Sequence, residues 1–146
     1  MGEAKSERLQ LTLASTTKSV DQIEEAAEKL AFDAGLDEEE RYHVSVAARE
    51  AAVNAVLHGN KFDAAKQIAA SFEITGAALV ITIADQGPGL DPETIPDPLA
   101  PENLLRGSGR GIFLMRSFMD EVNFRQLHPG LELTLVKRLP PSPQKS

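Results

Sequence analysis

The sequence predicts an α+β sandwich, in which a mixed, mostly antiparallel sheet carries helices on one face. Alternating apolar residues indicate five strands, and apolar residues three or four apart indicate three helices. Two pairs of strands are joined by short turns, which favours antiparallel neighbours and a helix layer on one side. The predicted elements are a strand at 8–14, helices ending near Gly35 and His58, strands at 67–74 and 78–85, a helix at 108–119, and strands at 121–127 and 131–138.

The first third of the chain contains one strand and two helices. The leucines of the strand fall on one face, at Leu9, Leu11 and Leu13. Ser19 or Thr17 can cap the first helix, and Gly35 can end it. Asp37 is predicted to cap the second helix, because the three glutamates after it suit the positive end of a helix.

The strand at 78–85 is predicted to lie at the centre of the sheet. Both of its faces are apolar, one with Leu79, Ile81 and Ile83 and the other with Val80 and Ala84. A strand that is apolar on both sides is typical of a buried, central position. Tight turns at Gly76 and at Pro129-Gly130 join the neighbouring strands.

Composition excludes several classes of protein. A chain of 146 residues with 42% hydrophobic and 25% charged residues is an ordinary globular domain rather than a disordered one. The absence of cysteine excludes a disulfide scaffold and thiolate metal sites. A net charge of −7 argues against direct binding of nucleic acid. No apolar run approaches ~20 residues and the N-terminus lacks an apolar signal core, so we expect no membrane contact and a cytoplasmic location.

We expect one domain at 8–138, between loose residues 1–7 and a disordered tail at 139–146. Within it, the segment 86–107 is unusual, because it holds five of the nine prolines and is framed by five of the ten glycines. A loop of this length without regular structure is uncommon in a compact domain and is often functional.

Glu50 and Asn54 form the first candidate site. They are four residues apart and therefore lie on one face of the second helix. A carboxylate and a carboxamide in this arrangement can bind a hard cation such as Mg²⁺ or align a proton acceptor beside one. Two solvated polar residues on an alanine-rich helix would have the same spacing.

Asp85 begins the second candidate site, at the end of an apolar strand. A carboxylate at the mouth of a sheet is well placed to accept a hydrogen bond from the amino group of a ligand. Gly87 and Gly89 would let the backbone approach that ligand closely. The alternative is an ordinary turn built from turn-forming residues.

A glycine-rich segment opens the helix at 108–119 and forms the third candidate site. It consists of Gly107, Ser108, Gly109, Arg110 and Gly111. Backbone N–H groups at a helix start attract anions, and Arg110 could pair with phosphates or be a solvated surface residue. The segment lacks the Gly-Lys-Ser/Thr ending of a P-loop. It also follows a loop rather than a strand and no βαβ unit surrounds it, which excludes a dinucleotide-binding site.

The order and spacing of the three sites resemble the GHKL superfamily of ATPases and kinases, over roughly residues 8–138. The N box and two glycine boxes of that superfamily look like Glu50-x-x-x-Asn54, Asp85-x-Gly87-x-Gly89 and Gly107-x-Gly109-x-Gly111. The runs at 50–59, 108–111 and 118–122 further resemble the bacterial anti-sigma-factor serine-protein kinases (RsbW-like).

This resemblance implies a Bergerat two-layer sandwich that binds ATP or ADP with Mg²⁺ under a lid at 86–107. It implies that Glu50 is the general base, that Asn54 coordinates Mg²⁺, and that Asp85 binds the adenine amino group. The other cofactor-binding residues would be Gly87 and Gly89 around adenine, and Gly107, Ser108, Gly109, Arg110 and Gly111 around the phosphates.

The implied function is that of an anti-sigma factor and ATP-dependent serine/threonine-protein kinase. Such a protein sequesters a sigma factor and phosphorylates a STAS-type anti-anti-sigma factor, and it is commonly a homodimer. The alternative is a catalytically inactive ATP- or ADP-binding anti-sigma or adaptor module, against which Glu50 argues. A histidine kinase domain would need an upstream phosphoacceptor helix, for which residues 1–7 leave no room. A gyrase- or MutL-like ATPase would need a second domain.

Overall fold

Five strands and three α-helices form two layers in the part of the chain that the computed structural model describes, residues 7–59, 63, 65–87, 110–127 and 129–140. The strands are β1 (Glu7–Ala14), β2 (Gln67–Ile74), β3 (Ala78–Ala84), β4 (Glu121–Gln126) and β5 (Leu131–Arg138). The helices are α1 (Thr17–Asp33), α2 (Glu38–Val53), which continues as a π-helical turn (Asn54–Gly59), and α3 (Arg110–Phe118). The predicted α+β class is confirmed.

The sheet has the strand order β1-β2-β3-β5-β4. All four pairings between the described strands are antiparallel, so the mixed pairing that the sequence allowed is not found among them. The predicted central position of β3 is confirmed. Ile81 of β3 lies opposite Phe72 of β2 and Leu135 of β5, and all three side chains are fully buried against the helices.

The helix layer begins as an antiparallel pair. Arg41 of α2 pairs with Glu28 of α1 at 3.5 Å, and Arg49 pairs with Asp21 at 3.2 Å, so the later part of α2 lies beside the start of α1. Because α1 starts directly after β1, α2 runs back to the end of the sheet where β1 finishes. None of the helices in the described ranges has both the length and the apolar composition needed to cross a membrane.

Helix α3 runs antiparallel to α2. The Phe118 ring at its end stacks on the His43 ring near the start of α2, with ring centroids 4.1 Å apart. The first turn of α3 therefore lies toward the later part of α2. One end of the sandwich thus collects the ends of β1, β3 and α2 and the starts of α3 and β5.

The start of α1 differs from the prediction, because Thr16 rather than Thr17 or Ser19 is the N-cap. Thr16 has the extended backbone of a cap, and its side chain accepts a hydrogen bond from the Ser19 backbone N–H at 3.4 Å. Ser19 lies inside the first turn, where its hydroxyl donates to the Ala14 carbonyl at 2.6 Å. A buried hydroxyl that already has this partner is not available as a cap.

The other two helix signals are confirmed. Gly35 has a φ of 88°, and the N–H groups of Gly35 and Leu36 donate back to carbonyls of the last turn of α1 at 3.0 and 3.1 Å. This pattern is the Schellman motif, which favours glycine. The Asp37 carboxylate caps α2 by accepting the Glu40 N–H at 2.8 Å.

Several predicted boundaries shift by a few residues. β1 already includes Glu7, which was expected in the loose N-terminal segment, β3 stops at Ala84, and β4 stops at Gln126. The second helix was expected to stay α-helical to about His58, but its α-helical part ends at Val53 and a π-helical turn follows. Residues 108, 109 and 141–146 lie outside the described residues.

Candidate functional site

Asp85 lies at the end of the sheet described above, immediately after β3, with only 4% of its surface exposed. Its backbone N–H donates to the Leu131 carbonyl at 3.1 Å. Its carboxylate oxygen Oδ1 accepts two backbone hydrogen bonds, from Gly87 at 2.9 Å and from Leu131 at 3.2 Å. None of the residues that the structure describes donates to the second oxygen, Oδ2, which is therefore the acceptor that Asp85 could offer a ligand.

Burial raises the pKa of the Asp85 carboxyl above its ordinary value. The hydrogen bonds from Gly87 and Leu131 and the positive charge of Lys66 act in the opposite direction, because they stabilise the ionised form. A buried carboxyl whose pKa is raised by folding costs stability when it is ionised. Sites that bind ligands commonly contain such groups.

The raised pKa predicts a specific pH dependence of folding stability. Between the ordinary Asp pKa of about 3.9 and the raised pKa of Asp85, the folded protein holds a proton that the unfolded chain has lost. The free energy of unfolding should therefore fall as the pH rises through this window. Urea unfolding of wild type and Asp85→Asn at several pH values should show the wild type losing stability relative to the variant. A difference that is constant with pH would contradict burial as the dominant influence.

Asn54 is another buried polar group at this end of the sandwich, with 8% of its surface exposed. Its side-chain oxygen Oδ1 is fully buried and has no hydrogen-bond partner among the described residues. Such an oxygen is costly unless something binds it. Asn54 also begins the π-helical turn, a deformation that often marks functional positions in helices.

Glu50 lies one turn before Asn54 on α2 and is half-buried. The Asn54 N–H donates to the Glu50 carbonyl, so the α-helical geometry holds up to this point and keeps both side chains on one helix face. This part of the prediction, that Glu50 and Asn54 share a face, is confirmed by the structure.

The residues at this end fit a hard cation only if other ligands complete its shell. Within the described ranges, no group of three or more His, Asp or Glu side chains is arranged to hold a metal. In nucleotide sites Mg²⁺ commonly keeps several waters and takes only one or two oxygen ligands from the protein, with the phosphates as further ligands. The Asn54 oxygen, which has no partner within the described residues, could supply one such protein oxygen.

The structure describes only part of the other predicted sites. Gly87 is buried next to Asp85, and Gly111 lies half-buried in the first turn of α3. Four predicted residues lie outside the described residues, namely Gly89, Gly107, Ser108 and Gly109. The side chain of Arg110 and the 88–107 part of the predicted lid also lie outside them. Asn54, Asp85 and Gly111 come from three separate segments, and the topology brings them to the same end of the sandwich.

The sequence-based prediction missed the residues that hold Asp85 in place. Gly130 and Leu131 were treated as a turn and a strand start, yet both lie directly against Asp85. Gln86 accepts the N–H of Gln67 at 2.7 Å and so ties the segment after β3 to the start of β2. No local pattern in the sequence indicates these contacts, because they depend on the pairing of β3 with β5, which are not consecutive strands.

Residues 13–137 match the family model of the histidine kinase-like ATPase domain. Together with the fold and the convergence of the three segments, this match shows that the chain belongs to the histidine kinase-like ATPase family. It is 33% identical to the anti-sigma F factor of Anoxybacillus flavithermus over 136 residues, which cover 90% of each chain. It is 30% identical to the serine-protein kinase RsbW of Bacillus subtilis over 102 residues, which cover 66% of this chain and 63% of that protein.

Solved structures show the same fold. The RsbU and RsbW domains of a Mycobacterium tuberculosis protein superpose with a TM-score of 0.67 at 18% sequence identity, covering 91% of this chain and 32% of that one. The mycobacterial sensor histidine kinase MprB superposes with a TM-score of 0.55, also at 18% identity, over 92% of this chain. At these identities the likeness concerns the fold alone.

Proposed function

We propose that this protein is an anti-sigma factor and an ATP-dependent serine/threonine-protein kinase. It would sequester a sigma factor and phosphorylate a STAS-type anti-anti-sigma factor. The observation that carries the nucleotide-binding part is the presence of two buried polar groups at one end of a histidine kinase-like ATPase fold. They are the Asp85 carboxylate and the Asn54 oxygen, which has no partner in the part of the chain that the structure describes. The relatives named anti-sigma F factor and serine-protein kinase support a sigma factor as a partner and the kinase activity.

In this proposal, Asp85 recognises the base of the nucleotide. Its Oδ1 is already occupied by backbone N–H groups, which leaves Oδ2 to accept the amino group of adenine. Gly87 and Gly89 would line the adenine pocket. The phosphates would be wrapped by Gly107, Ser108, Gly109, Arg110 and Gly111, with the segment 86–107 as a lid.

The proposed phosphate transfer uses the two residues of α2. Asn54 would hold Mg²⁺, which neutralises charge on the phosphates when it is bound. The Glu50 carboxylate would accept the proton of the substrate hydroxyl while the hydroxyl oxygen bonds to the γ-phosphorus and the bond to ADP breaks. Because phosphoryl transfer depends on positioning and charge stabilisation, this small set of groups is chemically sufficient.

Phosphorylation would switch partners by changing an interface. A phosphate adds negative charge that must be desolvated and repels neighbouring carboxylates, so the modified antagonist would dissociate from this chain, whose net charge is −7. The kinase would then bind the sigma factor again. A homodimer in the cytoplasm, where sigma factors act, remains part of this prediction.

Incubation with γ-labelled ATP, Mg²⁺ and purified candidate antagonists tests the proposal. We expect label on a serine or threonine of a STAS-domain protein. The alternative function, an inactive nucleotide-binding anti-sigma or adaptor module, predicts nucleotide binding and sigma-factor binding without any transfer. Calorimetry that detects no binding of ATP or ADP by the folded chain would overturn both.

A further inference from the structure

Two glycines in the described part of the chain have left-handed backbone conformations, Gly35 with a φ of 88° and Gly130 with a φ of 112°. Both positions favour glycine for conformational reasons. Their surroundings differ, because a Cβ built on Gly35 would meet no atom within 4 Å. A Cβ on Gly130 would overlap the Asp85 carbonyl oxygen and lie 3.0 Å from the Asp85 carbonyl carbon and 3.4 Å from the Gln86 Cα.

Gly130 therefore lies against the peptide bond that joins Asp85 to Gln86. These backbone atoms cannot be moved aside like the end of a flexible side chain. Leu131 adds two further contacts, since its carbonyl accepts the Asp85 N–H and its N–H donates to the Asp85 carboxylate. The backbone of Asp85, its side chain and its carbonyl thus all contact two consecutive residues, Gly130 at the end of the turn between β4 and β5 and Leu131 at the start of β5.

The turn is itself closed by a hydrogen bond from the Leu127 N–H to the Gly130 carbonyl at 2.8 Å. It is anchored on both sides by paired strands, so Gly130 has little freedom to retreat from Asp85. A methyl group at Gly130 would push the Asp85–Gln86 peptide away and would turn the carboxylate. Displacements of about 1 Å are enough to weaken a hydrogen bond that must be aligned with a ligand.

We propose that Gly130 is a positioning residue for base recognition: its missing side chain lets the β4–β5 turn close on the Asp85–Gln86 peptide and direct the Asp85 carboxylate at an exocyclic amino group of the bound base. This inference rests on the proposed nucleotide-binding function. It adds that selectivity for adenine depends on a turn 45 residues away in sequence, outside all three motifs.

The test compares Gly130→Ala with Gly35→Ala as a matched control. Both substitutions place alanine at a positive φ, but only the first collides with Asp85. Calorimetry would measure the affinity of each variant for ADP and for inosine diphosphate, which carries an oxo group where adenine carries its amino group. We expect wild type to prefer ADP, Gly130→Ala to lose about tenfold in ADP affinity and most of that preference, and Gly35→Ala to keep both.

A general loss of stability would weaken the binding of both nucleotides equally and leave the preference for ADP intact. Equal losses of affinity for the two nucleotides in Gly130→Ala would therefore overturn the proposal. So would an unchanged ADP affinity in a folded variant. If Gly130→Ala does not fold, the wild-type NMR spectrum decides. The Gly130 and Leu131 amide resonances should then shift on ADP addition while that of Gly35 does not, and unshifted amides would refute the inference. Wild type that binds neither nucleotide would overturn the proposed function itself.

Discussion

Glu50→Gln should lower the rate of phosphate transfer to the antagonist by about 10²–10⁴-fold, the usual contribution of a general base. The side chain is half-buried on the face of α2 that also carries Asn54. Glutamine keeps the shape of this position but cannot accept the proton of the attacking hydroxyl. Initial rates with γ-labelled ATP at saturating nucleotide would measure the change.

Glu39→Gln is the matched control for this variant. Glu39 is exposed in the first turn of the same helix, so this substitution removes the same charge at the opposite end of α2. It should transfer phosphate at the wild-type rate, and both variants should bind ADP and the sigma factor as wild type does. Transfer by Glu50→Gln at an undiminished rate would remove Glu50 from the chemistry. Wild type that binds nucleotide but modifies no antagonist would favour the inactive module.

The parts of the fold that were predicted correctly depend on local signals. Gly35 and Asp37 were recognised because a C-terminal glycine and an N-terminal aspartate satisfy backbone groups within a few residues of themselves. The central position of β3 followed from its two apolar faces. Where several neighbouring candidates compete, as for the cap of α1, the outcome depends on which side chain already has a partner, here the Ser19 hydroxyl, which donates to the Ala14 carbonyl.

The features that were not predicted leave no distinct pattern in the local sequence. A π-helical turn after Val53 leaves the apolar pattern of the helix nearly unchanged, so periodicity could not reveal it. The contact of Gly130 with Asp85 requires β5 to insert between β3 and β4, and the short β4–β5 turn in the sequence does not specify that order.

In the candidate site, too, some features have a local sequence signal and others do not. The position of Asp85 at the end of an apolar strand was readable from the sequence, and so was the shared face of Glu50 and Asn54. The sequence could not show that Asp85 is held by Leu131, nor that the Asn54 oxygen is buried with no partner among the residues that the structure describes. The first fact shows that a distant segment holds Asp85, which a turn formed only by its neighbours would not require, and the second shows that the Asn54 oxygen is not on a solvated helix face.

Asp85→Asn should weaken the binding of ATP and of ADP alike by about 1.5–3 kcal/mol, or roughly 10- to 150-fold in Kd. This is the range for a hydrogen bond with a charged partner. Asparagine can keep its oxygen on the N–H groups of Gly87 and Leu131, so the local backbone should be retained. Its NH₂ group then replaces Oδ2 and faces the adenine amino group, donor against donor.

Loss of the acceptor, not loss of the fold, should explain the effect. Burial raises the pKa of Asp85, so removing the ionised carboxylate should leave the variant at least as stable as wild type at neutral pH. Asp33→Asn removes an equal charge at the far end of α1, where Asp33 pairs with Lys29, and should bind ADP as wild type does. Calorimetry of both variants with ATP and ADP measures the difference. If Asp85→Asn is stable and binds ADP with wild-type affinity, Asp85 does not contact the base, and the adenine pocket has to be sought elsewhere in the fold.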